Sequence, residues 1–156
     1  MYKLILTLAI ITLTGLGYYT YTQGYFEPKK ESIQVTLNRD VISTEIARSM
    51  QSRIIGLSGR ESLPVGTGLL FIFPETLYPS IWMKDMKFSI DIIFISSDGI
   101  VNEIFQNVSP DTYLEKPPRQ FKTLAASRYV LEVPAGTVAD AKLREGMAIS
   151  ELVDFK

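Results

Sequence analysis

Leu69 to Phe73 is an unbroken apolar run closed by Gly68 on one side and Pro74 on the other. So short a run cannot build a helix with its own buried face, and Pro74 blocks helical continuation. The run reads as a continuous apolar strand. Ile90 to Ile95 and Arg128 to Val133 are further expected strands. The first leads into the hairpin signal Ser97-Asp98-Gly99, and the second is closed by Pro134-Ala135-Gly136.

Elsewhere the period is two. Ile33, Val35 and Leu37 alternate with polar residues, Asn38-Arg39-Asp40 reads as a turn, and Val41 to Ala47 returns as a second strand. Ile81 to Met86, Ile100 to Val108 and Met147 to Val153 are further expected strands. Ser49 suits the cap of a short helix that stops near Gly56, and Thr137 that of a helix to about Leu143, before Gly146. Residues 57–68 and 109–122 read as loops, rich in Gly and Pro. No repeat is present. The expectation is one mainly β domain over residues 32–156, a β-sandwich or a compact β-barrel-like fold with two short helices.

The amino terminus differs in kind. After Lys3 no charge occurs from Leu4 to Tyr21, close to the roughly 20 apolar residues that span a bilayer. Tyr18, Tyr19, Tyr21, Tyr25 and Phe26 crowd its far end, as aromatic rings do at the headgroup level. Tyr occupies the place where a cleaved signal peptide needs small residues. Residues 1–26 are therefore expected to form an uncleaved transmembrane anchor, 27–31 a linker, and the domain is expected to lie outside the cytoplasm. The alternative is a secreted or periplasmic domain released by signal cleavage.

The chain has neither His nor Cys. That excludes disulfides, thiol nucleophiles, a Ser-His-Asp triad and the usual zinc sites. Chemistry is left to carboxylates, Lys, Tyr, Ser and Thr, and a metal would need oxygen ligands alone. No calcium-loop spacing is present, so neither a metal nor a cofactor is expected. Residues 31–156 hold 13 Lys and Arg against 16 Asp and Glu, a net of −3, which gives no footprint for nucleic acid.

Three charged groupings remain. Arg53 and Arg60 flank the turn GLSGR, and two guanidinium forks there can hold a carboxylate or phosphate, or tie the loop to the domain's own acids. Trp82, Lys84 and Met86 would share one face of a strand, setting an aromatic ring beside an ammonium. Asp91, at the mouth of a buried strand, needs a partner, for which Arg53, Arg60 or Lys84 are available. Glu132 in RYVLEVPAG is the third group, and Asp91 with Glu132 is the one acid–base couple the composition allows.

These segments, TEIA (44–47), SRIIGLSGRESLP (52–64), GLLFIFP (68–74), WMKDMKFSIDIIFISSDGIV (82–101) and YVLEVPAG (129–136), resemble in order the blocks of the domain of unknown function 192 family. That family's pattern runs R-x-x-G-L-M-x-R, G-M-L-F-x-F, W-M-K-N-T-x-x-x-L-D-x-x-F and Y-V-L-E-x-x-A-G. This chain departs at Ser58 and Leu69, where Met is usual, at Asp85-Met86, where Asn-Thr is usual, and at Ile90 for Leu. Arg53, Arg60, Trp82, Lys84, Asp91 and Glu132 all match. The resemblance implies a small exported or membrane-anchored protein of mainly β fold with no established activity, and Arg53, Arg60, Lys84, Asp91 and Glu132 gathered at one cleft.

The functional expectation is a non-enzymatic extracytoplasmic domain. Arg53, Arg60 and Lys84 would hold a small anionic or polar ligand, or a peptide, against Trp82, with Asp91 and Glu132 orienting the cations. A carboxylate-based envelope glycan hydrolase and a purely structural or interaction module are the alternatives.

Overall fold

The structure is a computed structural model that describes residues 31–153. The expected anchor, residues 1–26, and most of the linker lie outside them. Among the described residues no helix is long and apolar enough to cross a membrane.

Eight strands and two short helices follow in chain order: β1 (Ser32–Leu37), β2 (Asp40–Ala47), α1 (Met50–Ile55), β3 (Thr67–Leu77), β4 (Ser80–Ile81), β5 (Ile90–Ile95), β6 (Val101–Val108), β7 (Phe121–Lys122), β8 (Ser127–Pro134) and α2 (Thr137–Ala141). Single 3-10 turns occupy Pro110–Leu114 and Ser150–Leu152. Six strands form one sheet in the order β1-β2-β3-β8-β5-β6, and β4 pairs with β7 in a second, two-stranded sheet. All pairs are antiparallel except β2 with β3, which α1 connects as a crossover.

The six-stranded sheet is open, with β1 and β6 at its edges. It does not close into the expected barrel, and the sandwich is lopsided, because only the small β4–β7 sheet faces it. The β6 edge is blunted by side chains: Glu145 accepts the Ile104 N–H at 3.3 Å, and Glu103 accepts the Leu124 N–H at 3.3 Å.

Both faces of the sheet are buried, which explains the continuous apolar runs. Leu70, Ile72, Ile93, Ile95, Tyr129, Leu131 and Val133 face one core, closed by α2 and the Ser150–Leu152 turn. Leu69, Phe71, Ile90, Ile92, Phe94 and Val130 face the other, closed by Leu57, Met83 and the β4–β7 pair. Each such side chain contributes about 1.5–3 kcal/mol on burial. Gly68 lets β3 approach β8: a Cβ there would stand 3.0 Å from the Glu132 carbonyl.

Two expected strands do not form. Past Ile81 no neighbouring strand offers a ladder, and residues 82–86 turn instead, with Asp85 at φ 54°. The Trp82–Lys84–Met86 stripe therefore does not exist. Near the carboxyl end Ala148 makes a lone bridge to Ile100, and the chain then coils to bring Leu152 over the core.

Asp91 is fully buried on the α2 side of the sheet. Its carboxylate accepts backbone N–H bonds from Asn107 at 2.8 Å, Gly136 at 3.1 Å and Val138 at 3.0 Å. It thus caps α2, which has no side-chain cap of its own, and pins that helix to β5 and β6. The Thr137 hydroxyl, expected as the cap, donates to the Pro134 carbonyl at 2.7 Å instead. Asp91→Asn turns an amide donor toward at least one of those N–H groups. We expect a loss of about 3 kcal/mol in urea unfolding, well beyond that of an exposed Asp98→Asn control.

Candidate functional site

β2, β3, β8, β5 and β6 bring Glu45, Leu69, Glu132, Ile92 and Phe105 into one cross-strand row on a single face. Glu132 stands in the middle of it. Leu69 and Ile92 flank it sideways, Val130 and Pro134 along its own strand, so water reaches it poorly and it is 5% exposed. Among the described residues its carboxyl accepts no hydrogen bond, and the acid is pushed up to about 8. Desolvation is the cause, and the positive charge of Arg60 opposes it without prevailing. At neutral pH Glu132 is therefore mainly the uncharged acid.

The carboxyl lies on a pocket of about 60 Å³ whose other walls include Leu57, Phe71, Ile81, Trp82, Met83, Met86 and Arg53. Two loops make its mouth. Residues 56–59 follow α1, whose last turn ends at Gly56 with φ 52° and its N–H on the Ser52 carbonyl. Residues 82–86 come from after β4. The loops are stitched together: the Ser58 hydroxyl donates to the Lys84 carbonyl and the Gly59 N–H to the Asp85 carbonyl, both at 2.9 Å. Asp85 sits in the left-handed region that Asn and Asp tolerate best, so Asp in place of the usual Asn keeps the turn.

A shallower groove of about 290 Å³ adjoins the pocket and shares Arg53, Ile54, Phe71, Ser80, Ile81 and Trp82 with it. Its rim is apolar and open to solvent. Met50 is 73% exposed, Ile54 70% and Trp82 50%, and α1 buries no residue at all.

The other expected site residues divide. Arg53 is at the pocket, but its guanidinium donates to the Ile72 carbonyl at 3.0 Å and to the Arg48 carbonyl, and lies 5.3 Å from the Phe73 ring centroid. Arg60 grips Glu45 with two bonds of 3.0 and 2.8 Å, so its fork is taken. Trp82 packs edge-on against Tyr113, with centroids 6.1 Å apart. Lys84 is exposed and its side chain is not part of the pocket wall. Asp91 and Glu132 sit on opposite faces of the sheet: Asp91 pairs with Val133, one residue out of step with Glu132. The acid–base couple cannot assemble. Leu57, Phe71, Ile81 and Met83 were not expected at the site. Their residue type signals only apolarity, which any core residue shares, although Leu57, Phe71 and Met83 stand at matched positions of the family pattern.

Residues 33–150 match the model of a protein family, DUF192, described as Uncharacterized ACR. No curated protein matches the chain. Among solved structures, a "putative transcription regulator" from Sinorhizobium meliloti is 28% identical, with a TM-score of 0.67, over 77% of this chain and 92% of that one. A protein of unknown function from Novosphingobium aromaticivorans is 23% identical, with a TM-score of 0.70, over 80% of this chain and 88% of that one, and shares the fold.

The raised Glu132 acid has a consequence for stability. Between its ordinary value of 4.5 and about 8 the folded protein holds a proton that the unfolded chain releases. The folded state binds more protons over that window, so stability falls as pH rises from about 4.5 to 8 and levels off above it. Relative to Glu132→Gln, the wild-type protein should lose on the order of 3 kcal/mol between pH 5 and pH 8, read from urea midpoints. Parallel pH profiles for the two proteins would refute this account.

Proposed function

The chain belongs to the DUF192 family, and we propose that its domain is a non-enzymatic binding module displayed outside the cytoplasm on an amino-terminal anchor. The occupant is a small polar ligand or a peptide. Its polar tip enters the pocket to meet Glu132, and its apolar part lies in the groove against Trp82, Met50 and Ile54. One observation carries this reading: a buried carboxyl with no hydrogen-bond partner among the described residues, lining a pocket whose rim exposes apolar side chains. A buried polar group left unpaired costs about 1–3 kcal/mol, and a ligand that pairs with it recovers that free energy.

The anionic form of the ligand loses support, because Arg60 is paired with Glu45 and Lys84 lies off the pocket wall, which leaves Arg53 as the one cation at the wall. The hydrolase reading needs two carboxyls across one groove, and the sheet keeps Asp91 and Glu132 apart. A purely structural module gives no role to the pocket. The regulator name of the Sinorhizobium structure is not adopted, since residues 31–156 carry a net charge of −3.

Thermal unfolding of the full chain against a panel of small amides, carboxylates, amines and short peptides tests binding. A true ligand near 100 times its Kd adds roughly 2.7 kcal/mol, a rise of several degrees in Tm. Trp82→Ala should abolish the rise. A flat response across the panel removes the reading. For location, protease added outside intact cells should digest the domain while a cytoplasmic marker survives, and protection of the domain would place it inside.

A further inference from the structure

Three features of the pocket restrict what can occupy it, and the argument from them rests on the binding-module reading above. The first is size. About 60 Å³ is well below the several hundred that hold a sugar or nucleotide. A group of three or four heavy atoms fits. The second is the unmet hydrogen-bonding demand. Glu132 is 95% buried and carries no bond from the described residues; Leu57, Phe71, Ile81 and Met83 beside it offer no strong hydrogen-bonding group, and of the polar side chains at the wall Ser58 and Ser80 already donate to the Lys84 carbonyl and to Gln120. The third is charge. One guanidinium nitrogen of Arg53 donates to the Arg48 and Ile72 carbonyls, and the Arg60 fork is held by Glu45. Lys84 and Asp85 point no charge into the pocket, being exposed and absent from its wall.

A buried anion would lie against a carboxyl, with Arg53 as the one cation at the wall to offset its desolvation. A buried cation would feel the Arg60 charge and would have to strip the proton from Glu132. An uncharged occupant meets neither cost. A protonated carboxyl offers one O–H donor and one carbonyl acceptor side by side. An amide offers the mirror set, a carbonyl and an N–H in one plane. The two groups close a pair of hydrogen bonds, and the second N–H of a primary amide is left to face the groove. An ester or ketone would leave the acid's acceptor empty, and an ammonium its donor.

We propose that this pocket selects an uncharged primary amide, either the end of an Asn or Gln side chain or a free small amide, with Glu132 reading its C=O and N–H together. Trp82 and the groove then hold whatever the amide is attached to. Because the acid must keep its proton to donate, affinity is highest well below about pH 8 and falls roughly tenfold per unit above it.

Trp82 is the only tryptophan of the chain, so its indole N–H resonance reports on the mouth of the site. The full chain is titrated with propionamide, propionate and propylammonium from pH 6 to pH 10, beside a tripeptide with a central Gln. At pH 6.5 propionamide should bind roughly tenfold or more tighter than the two ions, one hydrogen bond's worth. The Gln peptide should exceed propionamide if a peptide side chain is the natural occupant, and match it if a free amide is. Glu132→Gln offers the same donor and acceptor, so it should retain amide binding and lose the pH dependence. Glu132→Leu should lose binding while still unfolding cooperatively. Preference for propionate or propylammonium overturns the proposal, as does amide binding that ignores pH or survives Glu132→Leu. If other members of the ligand panel shift Trp82 and no amide does, amide selection falls and the binding module stands; if nothing shifts it, both fall.

Discussion

A strand sends successive side chains to opposite faces, and in this domain both faces of the central strands are buried. That constraint governs the rest. Ile93, Leu131 and Val133 must close one core while Ile92, Val130 and Phe94 close the other. The same alternation assigns the polar groups. Asp91 falls on the α2 side, where three backbone N–H groups converge on it. Glu132, out of step by one, falls on the side covered by loops, where no donor among the described residues reaches it.

Two buried carboxyls in one sheet thus have opposite characters. Asp91 replaces the missing cap of α2 and ties three parts of the chain together, so it is part of the framework. Glu132 gives the framework nothing of the kind. It sits in the row between Leu69 and Ile92, where an apolar side chain would pack without penalty. A group retained against stability, at the base of a pocket, fits a site whose use lies in contact with something else. Its surroundings agree. The loops at residues 56–59 and 82–86 are held to each other through backbone carbonyls, so the mouth has a defined shape. The apolar rim of α1 stays open.

Much of the site was legible in residue types and little of it in geometry. Glu132, Trp82 and Arg53 could be singled out because acid, indole and guanidinium are conspicuous in an apolar sequence. Arg60 could be read as a ligand fork or as a tie to the domain's own acids, and the second is what the Glu45 pair makes of it. Lys84 looked like a neighbour of Trp82 only while residues 81–86 were read as a strand. Period-two alternation is necessary for a strand but not sufficient, because a strand also needs a partner, and past Ile81 none is in reach. The same failure explains residues 147–153. Strands buried on both sides carried a stronger signal, since continuous apolar runs between Gly and Pro admit few other conformations.

The sequence by itself determined the class of the domain, its main strands and turns, its lack of His and Cys chemistry, and the short helix that stops at Gly56. These follow from local chemistry: dihedral preferences, hydrophobic period and the inventory of side chains. Tertiary structure alone decided that the sheet stays open, that Asp91 and Glu132 face away from each other, that Arg60 is spent on Glu45, and that Glu132 is left as an uncharged acid in a small pocket. Each of those depends on strand order and register, which bring together residues up to 87 positions apart, as with Glu45 and Glu132. No local pattern specifies such a meeting, because the free energy that selects it comes from burying both faces at once.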